Sequence, residues 1–253
     1  MFIALTRQIS PRFNECELTH LDRQPIDLDL ARAQHHQYEA ALRELGCEVI
    51  SLPAEPELPD SVFVEDVALV FDEVAIITRP GAPSRRPEAA SIARALKPYR
   101  TLVTIEAPGT LDGGDVLRVG RTVYVGLSSR SNQSAVEQTQ KFLAPYGYTV
   151  QGVEVTGYLH LKSAVTQVRD DTLLINPAWI DRNLFGEMTF IEVNEAEPSA
   201  ANAVRLGDTV LYPASFPKTQ RRLEVAGLRL QIVDATEVAK AEGAVTCCSL
   251  IFQ

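Results

Sequence analysis

The sequence predicts an α/β fold in which five strand-turn-strand-helix-strand units close into a ring, the fifth unit being split between the two ends of the chain. Three observations carry that prediction. The same order of patterns recurs along the 253 residues, the C-terminal strand lacks a hairpin partner that the N-terminal strand supplies, and the first strand of each hairpin opens on a residue suited to chemistry. Recurrence at this length marks a repeat architecture. Closing the repeats into a ring removes exposed sheet edges. The ring is read as one catalytic domain, residues 1–253.

The elements follow in chain order. FIALTR (2–7) is a strand, QHHQYEAALRELG (34–46) a helix and CEVISL (47–52) a strand, and all three belong to the split fifth unit with the C-terminal CCSLIF. SVFVEDVALVFDEVAIITRPG (61–81) reads as a strand, a tight turn at Asp72-Glu73 and a second strand. PEAASIARALKPY places Pro87 at a helix start and Ile92, Ala95 and Leu96 on one face, and TLVTIEA closes that unit. The second unit is GGDVLRV, a turn at Gly120-Arg121, TVYVGL, the helical NQSAVEQTQKFLAPYG and YTVQGVEV. The third is SAVTQV, a turn at Asp170-Asp171, TLLIN, a weak helix from Ala178 and MTFIEV. The fourth is NAVRL, a turn at Gly207-Asp208, TVLYP, the helix PKTQRRLEVAG and LRLQIV.

Composition removes several function classes. With 45% hydrophobic and 23% charged residues the chain is of ordinary globular make-up. Its net charge of -9 argues against nucleic acid, which calls for a basic surface. No apolar run is long enough to cross a membrane, and MFIALTRQIS lacks the parts of a signal peptide. Four cysteines, two of them the neighbours Cys247 and Cys248, make a poor disulfide framework and point to a reducing, cytoplasmic home. His20, His35, His36 and His160 show no ligand spacing, so no metal site is expected.

The hairpins open on Asp66, on Asp115 with Asp112 just before it, on His160, on Asn202 and on Cys247. In a ring these starts meet at one end of the axis. A lone cysteine is usually a small buried hydrophobe. Strand alternation puts Cys248 on the face of Leu250 and Phe252 and leaves Cys247 pointing the other way. His160 holds the equivalent place in its own unit, and histidine is the side chain best suited to move protons near neutrality. Asp112 flanks two glycines, which suit a turn or a close backbone approach to a ligand. Glu65 and Asp66 interrupt an apolar strand, where charge is costly unless paired or used, and Asp60 lies just upstream. Arg85, Arg86 and Arg130 follow second hairpin strands and suit a carboxylate at a pocket mouth. Acidic depth, a Cys/His pair and an arginine rim complement an arginine-like amino acid.

LPDSVFVED, ITRPGAPSRR, TLDGGDV, VGLSSRSNQ, LHLKS and VTCCS, in that order, resemble the dimethylarginine dimethylaminohydrolases. The resemblance implies the pseudo-fivefold, five-bladed α/β propeller of the guanidino-group-modifying (pentein) superfamily. It implies a cofactor-independent hydrolase that turns Nω-methylated arginine into citrulline and a methylamine through a covalent thiouronium. By that resemblance Cys247 is the nucleophile, His160 the acid and then the base, and Asp112 an orienting group. Glu65 and Asp66 would hold guanidinium nitrogens. Asp60 and the Leu18 carbonyl, the latter in a lid spanning Ile9 to Arg32, would hold the α-amino group. Arg85 and Arg130 would bind the carboxylate, and the backbone near Ala241 would complete the contacts. The lid and the segment Arg182 to Asn202 resemble the family least. The implied partner is a small-molecule methylarginine, with neither nucleic acid nor membrane, and the chain a monomer or homodimer.

Two other functions fit parts of the pattern. Arginine and agmatine deiminases of the same superfamily carry an aspartate two residues after the histidine, where this chain has Lys162. A carboxylate there would compete for space with N-methyl groups, so its absence favours a methylated substrate. A non-catalytic binding protein on the same ring would not need cysteine, histidine and acids together at its axis.

Overall fold

The computed structural model describes residues 1–253. The chain begins with strand β1 (Phe2–Arg7), helix α1 (Leu28–Glu44) and strand β2 (Cys47–Leu52). Next come β3 (Ala68–Val70), β4 (Val74–Ile77), α2 (Ala89–Leu96) and β5 (Thr101–Thr104), then β6 (Val116–Val119), β7 (Thr122–Leu127), α3 (Gln133–Leu143) and β8 (Thr149–Glu154). A one-turn helix α4 (Leu161–Ala164) leads into β9 (Val165–Arg169), β10 (Thr172–Ile175) and β11 (Thr189–Glu192). The last elements are β12 (Val204–Leu206), β13 (Thr209–Pro213), α5 (Pro217–Val225), β14 (Arg229–Val233), α6 (Thr236–Ala239) and β15 (Leu250–Phe252).

These strands form five three-stranded sheets, the blades of the α/β propeller. In each, a hairpin pairs an inner strand antiparallel to a middle strand, and the middle strand pairs parallel to an outer one. The split blade obeys the same rule. β1 pairs antiparallel with β15, Ile3 opposite Phe252, and parallel with β2, Phe2 opposite Cys47. A parallel pair needs a crossover, usually a helix, and α1, α2, α3 and α5 provide it in four blades. Asp27 caps α1 by accepting from the Asp29 and Leu30 amides, and Asn132 caps α3.

Five hydrophobic clusters close the ring, each shared by two neighbouring blades. Ile76 and Val125 meet in one, Leu117 and Leu173 in the next, Leu174 and Tyr212 in the third. Leu211 and Ala4 share the fourth, and Leu250 and Ala75 the fifth. Blades therefore join through side chains and not through sheet hydrogen bonds. The inner strands surround an axial cavity of about 660 Å³. No helix is long and apolar enough to cross a membrane.

Two expectations are corrected. The helix from Ala178 is absent, and only a 3-10 turn, Arg182–Phe185, precedes β11. Asp181 caps that single turn and Gly186 ends it, while Trp179 stacks on Tyr158 at 5.1 Å. The inner strands are also shorter than their apolar runs. Val64–Val67 and Gly113–Asp115 are 3-10 turns ahead of β3 and β6. Cys247 and Cys248 lie in a turn before β15 and not in the strand.

Candidate active site

Those turns converge at one end of the axis and are laced to one another around the ring. Asp66 Oδ1 accepts from Gly114 N at 3.0 Å. Asp115 Oδ1 accepts from Leu161 N at 3.0 Å. Asn202 Nδ2 donates to the Lys162 carbonyl at 3.2 Å, and Asn202 Oδ1 accepts from Thr246 N at 3.1 Å. Glu65 N donates to the Cys247 carbonyl at 3.2 Å and completes the circuit. Each blade junction thus carries a hydrogen bond, buried at three of the five. The interior makes such bonds strong and makes an unpaired partner costly. This lacing fixes the site to the scaffold.

Cys247 and His160 line one small, closed pocket with Asp60, Asp66, Arg85, Arg130, Ala241 and Glu242. Asp112 is fully buried beside it, its Oδ2 3.4 Å from His160 Nε2 and its Oδ1 accepting from Gly81 N at 2.8 Å. The imidazole packs against Gly114, where a Cβ would stand 2.6 Å from His160 Nδ1. A Cβ on Gly113 would lie 1.9 Å from the Glu65 carbonyl oxygen. The two glycines let the blades close on the histidine.

Burial and charge set the protonation states. Burial alone would lower the His160 pKa, but Asp66, Asp115 and Asp112 outweigh it and push it up to about 9. Burial pushes the Cys247 thiol well above its ordinary value, and the Glu65 and Asp66 carboxylates add to this. Against burial, Arg85 and His160 hold Asp66 down at about 2. At neutral pH the empty site therefore holds a thiol, an imidazolium and a carboxylate. Asp66, Asp112 and His160 place ligand atoms within 4.8 Å of one another, a grouping from three blades that no sequence spacing reveals. A metal bound there would have to displace the proton that the surrounding carboxylates hold on His160.

The other predicted residues fall into distinct places. Asp60 is buried at the mouth and accepts from Glu17 N at 3.1 Å. Burial pushes its carboxyl up, further than Arg85 pulls it down. Ala241 is a buried part of the wall. Arg130 Nη2 donates to Thr19 Oγ1 at 2.9 Å. Arg85 is not an exposed rim residue: it is 4% exposed, donating to Asp66 at 2.6 Å and to both Glu88 oxygens at 2.8 and 3.2 Å. Glu88 sits one helical turn on, an i,i+3 spacing that is visible in the sequence. Glu65 turns away from Cys247 into the axial cavity, bound by Lys162 Nζ at 2.5 Å and Thr246 Oγ1 at 2.7 Å. Leu18 packs on the hydrophobic cluster beneath the lid. Sequence reasoning missed Ser128 and Ser131, whose hydroxyls both bind Asp115 at 2.6 Å, and it missed Glu242.

A buried thiol and an imidazolium on one pocket, with the Asp66 carboxylate beside them, stand at one end of a five-bladed α/β ring, the arrangement of an enzyme site. Residues 13–191 match the family model described as N,N dimethylarginine dimethylhydrolase, eukaryotic. The chain is 43% identical over 250 residues to the N(G),N(G)-dimethylarginine dimethylaminohydrolase of Streptomyces coelicolor, covering 98% of this chain and 95% of that protein. The chain belongs to the dimethylarginine dimethylaminohydrolase family. Two solved structures of such enzymes are similar over the full length of both chains, at 33% identity. One, from Pseudomonas aeruginosa, is a cysteine-to-serine mutant complexed with citrulline, with a TM-score of 0.95. The other is a histidine-to-glycine form as an adduct with S-methyl-L-thiocitrulline, with a TM-score of 0.94.

Proposed function

We propose that this chain hydrolyses Nω-methylated arginine to citrulline and a methylamine, with Cys247 as nucleophile and His160 as the proton carrier. The convergence of Cys247, His160 and Asp66 on one buried pocket carries this reading. Family membership and the citrulline-bound relative support it.

The charges order the steps. A guanidinium is a poor electrophile, so attack requires a thiolate. The bound cation offsets Glu65 and Asp66, lowers the Cys247 pKa and lets its proton leave to solvent. The thiolate adds to the guanidinium carbon. His160, still an imidazolium, gives its proton to the departing methylamine nitrogen, and the C–N bond breaks to leave a thiouronium on Cys247. Neutral His160 then takes one proton from water, the oxygen adds to the same carbon, the C–S bond breaks, and the second water proton leaves the resulting isouronium for solvent. Citrulline leaves, and a thiolate and an imidazolium remain. Asp112 orients His160 and stabilises its charged form.

Asp66 faces the guanidinium site, while Glu65 adds negative charge from behind Cys247. Asp60 and the Leu18 carbonyl hold the α-amino group, beside the Ala241 backbone. Arg130 receives the carboxylate, and Arg85 lends it positive charge from within the wall. Lys162 is tied to Glu65 and to the Gly113 carbonyl, where a deiminase has a carboxylate for unmethylated nitrogens. This favours the methylated substrate over arginine or agmatine. The test is citrulline release from asymmetric dimethylarginine, monomethylarginine, arginine and agmatine in parallel. A higher kcat/KM for arginine than for the methylated forms would overturn the assignment.

A further inference from the structure

Glu242 takes no part in the chemistry above, yet its surroundings are those of a working residue. It is the one non-glycine residue with a left-handed backbone, φ 58°. Ordinary side chains avoid that region, and such a conformation persists only where neighbouring contacts hold it. It sits between Ala241 and Gly243 on the pocket wall, in the stretch that leads to Cys247. Its carboxylate accepts three successive backbone N–H groups: Thr19 at 2.9 Å, His20 at 2.5 Å and Leu21 at 2.7 Å. Successive N–H groups form a concave anion site. Here a distant side chain of the same chain fills it.

The donors belong to the lid segment over the pocket. Around the same stretch, Arg130 donates to Thr19 Oγ1, the Glu17 amide to Asp60, and Ser84 Oγ to Glu17 at 2.5 Å, the last as exposed as the Glu242 bonds, while Arg12, Pro25 and Asp27 tie the base of the segment to Glu57, Lys240 and Glu237. Arg130 and Asp60 are the groups assigned above to the two ends of the amino acid. A bound substrate takes both away from the lid. The Glu242 cluster draws on neither, so its three bonds to the stretch Thr19 to Leu21 survive when the site is full.

We propose that Glu242 is the latch holding Thr19 to Leu21 closed over bound substrate, a positioning residue whose role rests on reading this pocket as the substrate site. With the lid open, its bare charge faces the mouth and attracts the incoming cation. With the lid closed, the three N–H groups mask that charge.

The test uses Glu242→Gly and Glu242→Gln. The glycine variant relieves the backbone while deleting the carboxylate, so it separates the two. The glutamine variant keeps size and fold while removing the charge. Hydrogen exchange at the Thr19, His20 and Leu21 amides is measured with saturating citrulline, together with steady-state kinetics on asymmetric dimethylarginine. Exchange is expected to quicken roughly tenfold or more in both variants, the scale of losing a charged hydrogen bond. KM is expected to rise by more than kcat falls. Unchanged exchange in the glycine variant would overturn the latch, as would a loss confined to kcat. Should the unaltered enzyme release no citrulline while the variants still quicken exchange, the substrate reading fails and the latch over substrate with it, although the Glu242 bonds to the lid stand.

Discussion

The two ends of the propeller axis make opposite use of the same inner strands. At one end lies an axial cavity of about 660 Å³, whose mouth carries Arg118, Asp170 and Arg205. Arg205 pairs with Asp170 at 2.6 Å, and the Asp170 side chain is 94% exposed. At the other end lies a pocket of only about 20 Å³, lined by buried groups whose protonation is displaced. Volume follows from how five short strands pack around an axis. Chemistry follows from the turns that precede those strands, where each blade contributes a polar group held by the next. Shifted pKa values mark a functional site better than space does.

That contrast can be broken most sharply at Cys247. Cys247→Ser should abolish turnover, by roughly 10³-fold or more, because a hydroxyl near neutral pH is far less nucleophilic than a thiolate. Cys248→Ser should keep most activity, since Cys248 faces a separate space lined by His35 and Tyr38. A guanidine-like alkylating agent should label Cys247, as read by peptide mapping, and dimethylarginine should protect it. Next in size, Arg130→Ala should lower kcat/KM for dimethylarginine by roughly 30-fold to several thousand-fold, the equivalent of about 2–5 kcal/mol. A substrate analogue lacking the carboxylate should be nearly indifferent to the change.

Gly114→Ala should come third. The added methyl cannot coexist with His160 in its place, and loss of its alignment should lower kcat by roughly tenfold to a hundredfold, with thermal unfolding measured alongside. Smaller still is the pH effect. His160 gains its proton on folding and loses it as pH rises through about 9, so kcat/KM should fall above that pH as the acid is lost. Asp115→Asn removes one of the raising charges and should move that limb to lower pH. A pH-rate profile that stays flat to pH 10 would remove His160 from the role of acid. At the opposite mouth, Arg205→Ala and Asp170→Asn should leave kcat and KM where they were. A loss there would mean that the far cavity takes part.

Sequence patterns reached the middle strand of each blade more fully than the inner one. FIALTR, TVYVGL and TVLYP coincide with β1, β7 and β13 to the residue, because local turns and burial patterns mark their bounds. The inner strands did not yield in the same way. The turns at Val64–Val67, Gly113–Asp115 and Leu161–Ala164 are held by bonds to other blades, such as Asp115 to the Leu161 amide, and no local period records those. The opposed directions of Cys247 and Cys248 come from a turn and not from strand alternation. Arg85 lies deeper in the pocket wall than a rim position because it pairs with Asp66 and with Glu88, which stands at the i,i+3 spacing. The partners of Glu242 are backbone amides, which carry no side-chain signature at all.

The split blade has a consequence for how the molecule is made. β1 is synthesised first and can pair with β2 at once, but its antiparallel partner β15 comes last of all the strands. Contacts that join the extremes of a chain form slowly, since the long intervening loop must close first. The turn bearing Cys247 leads directly into β15. Until β15 pairs with β1, that turn has no strand to anchor it. Cys247 reaches its place by the same event that seals the ring, and a chain without β15 in place has no thiol held beside His160.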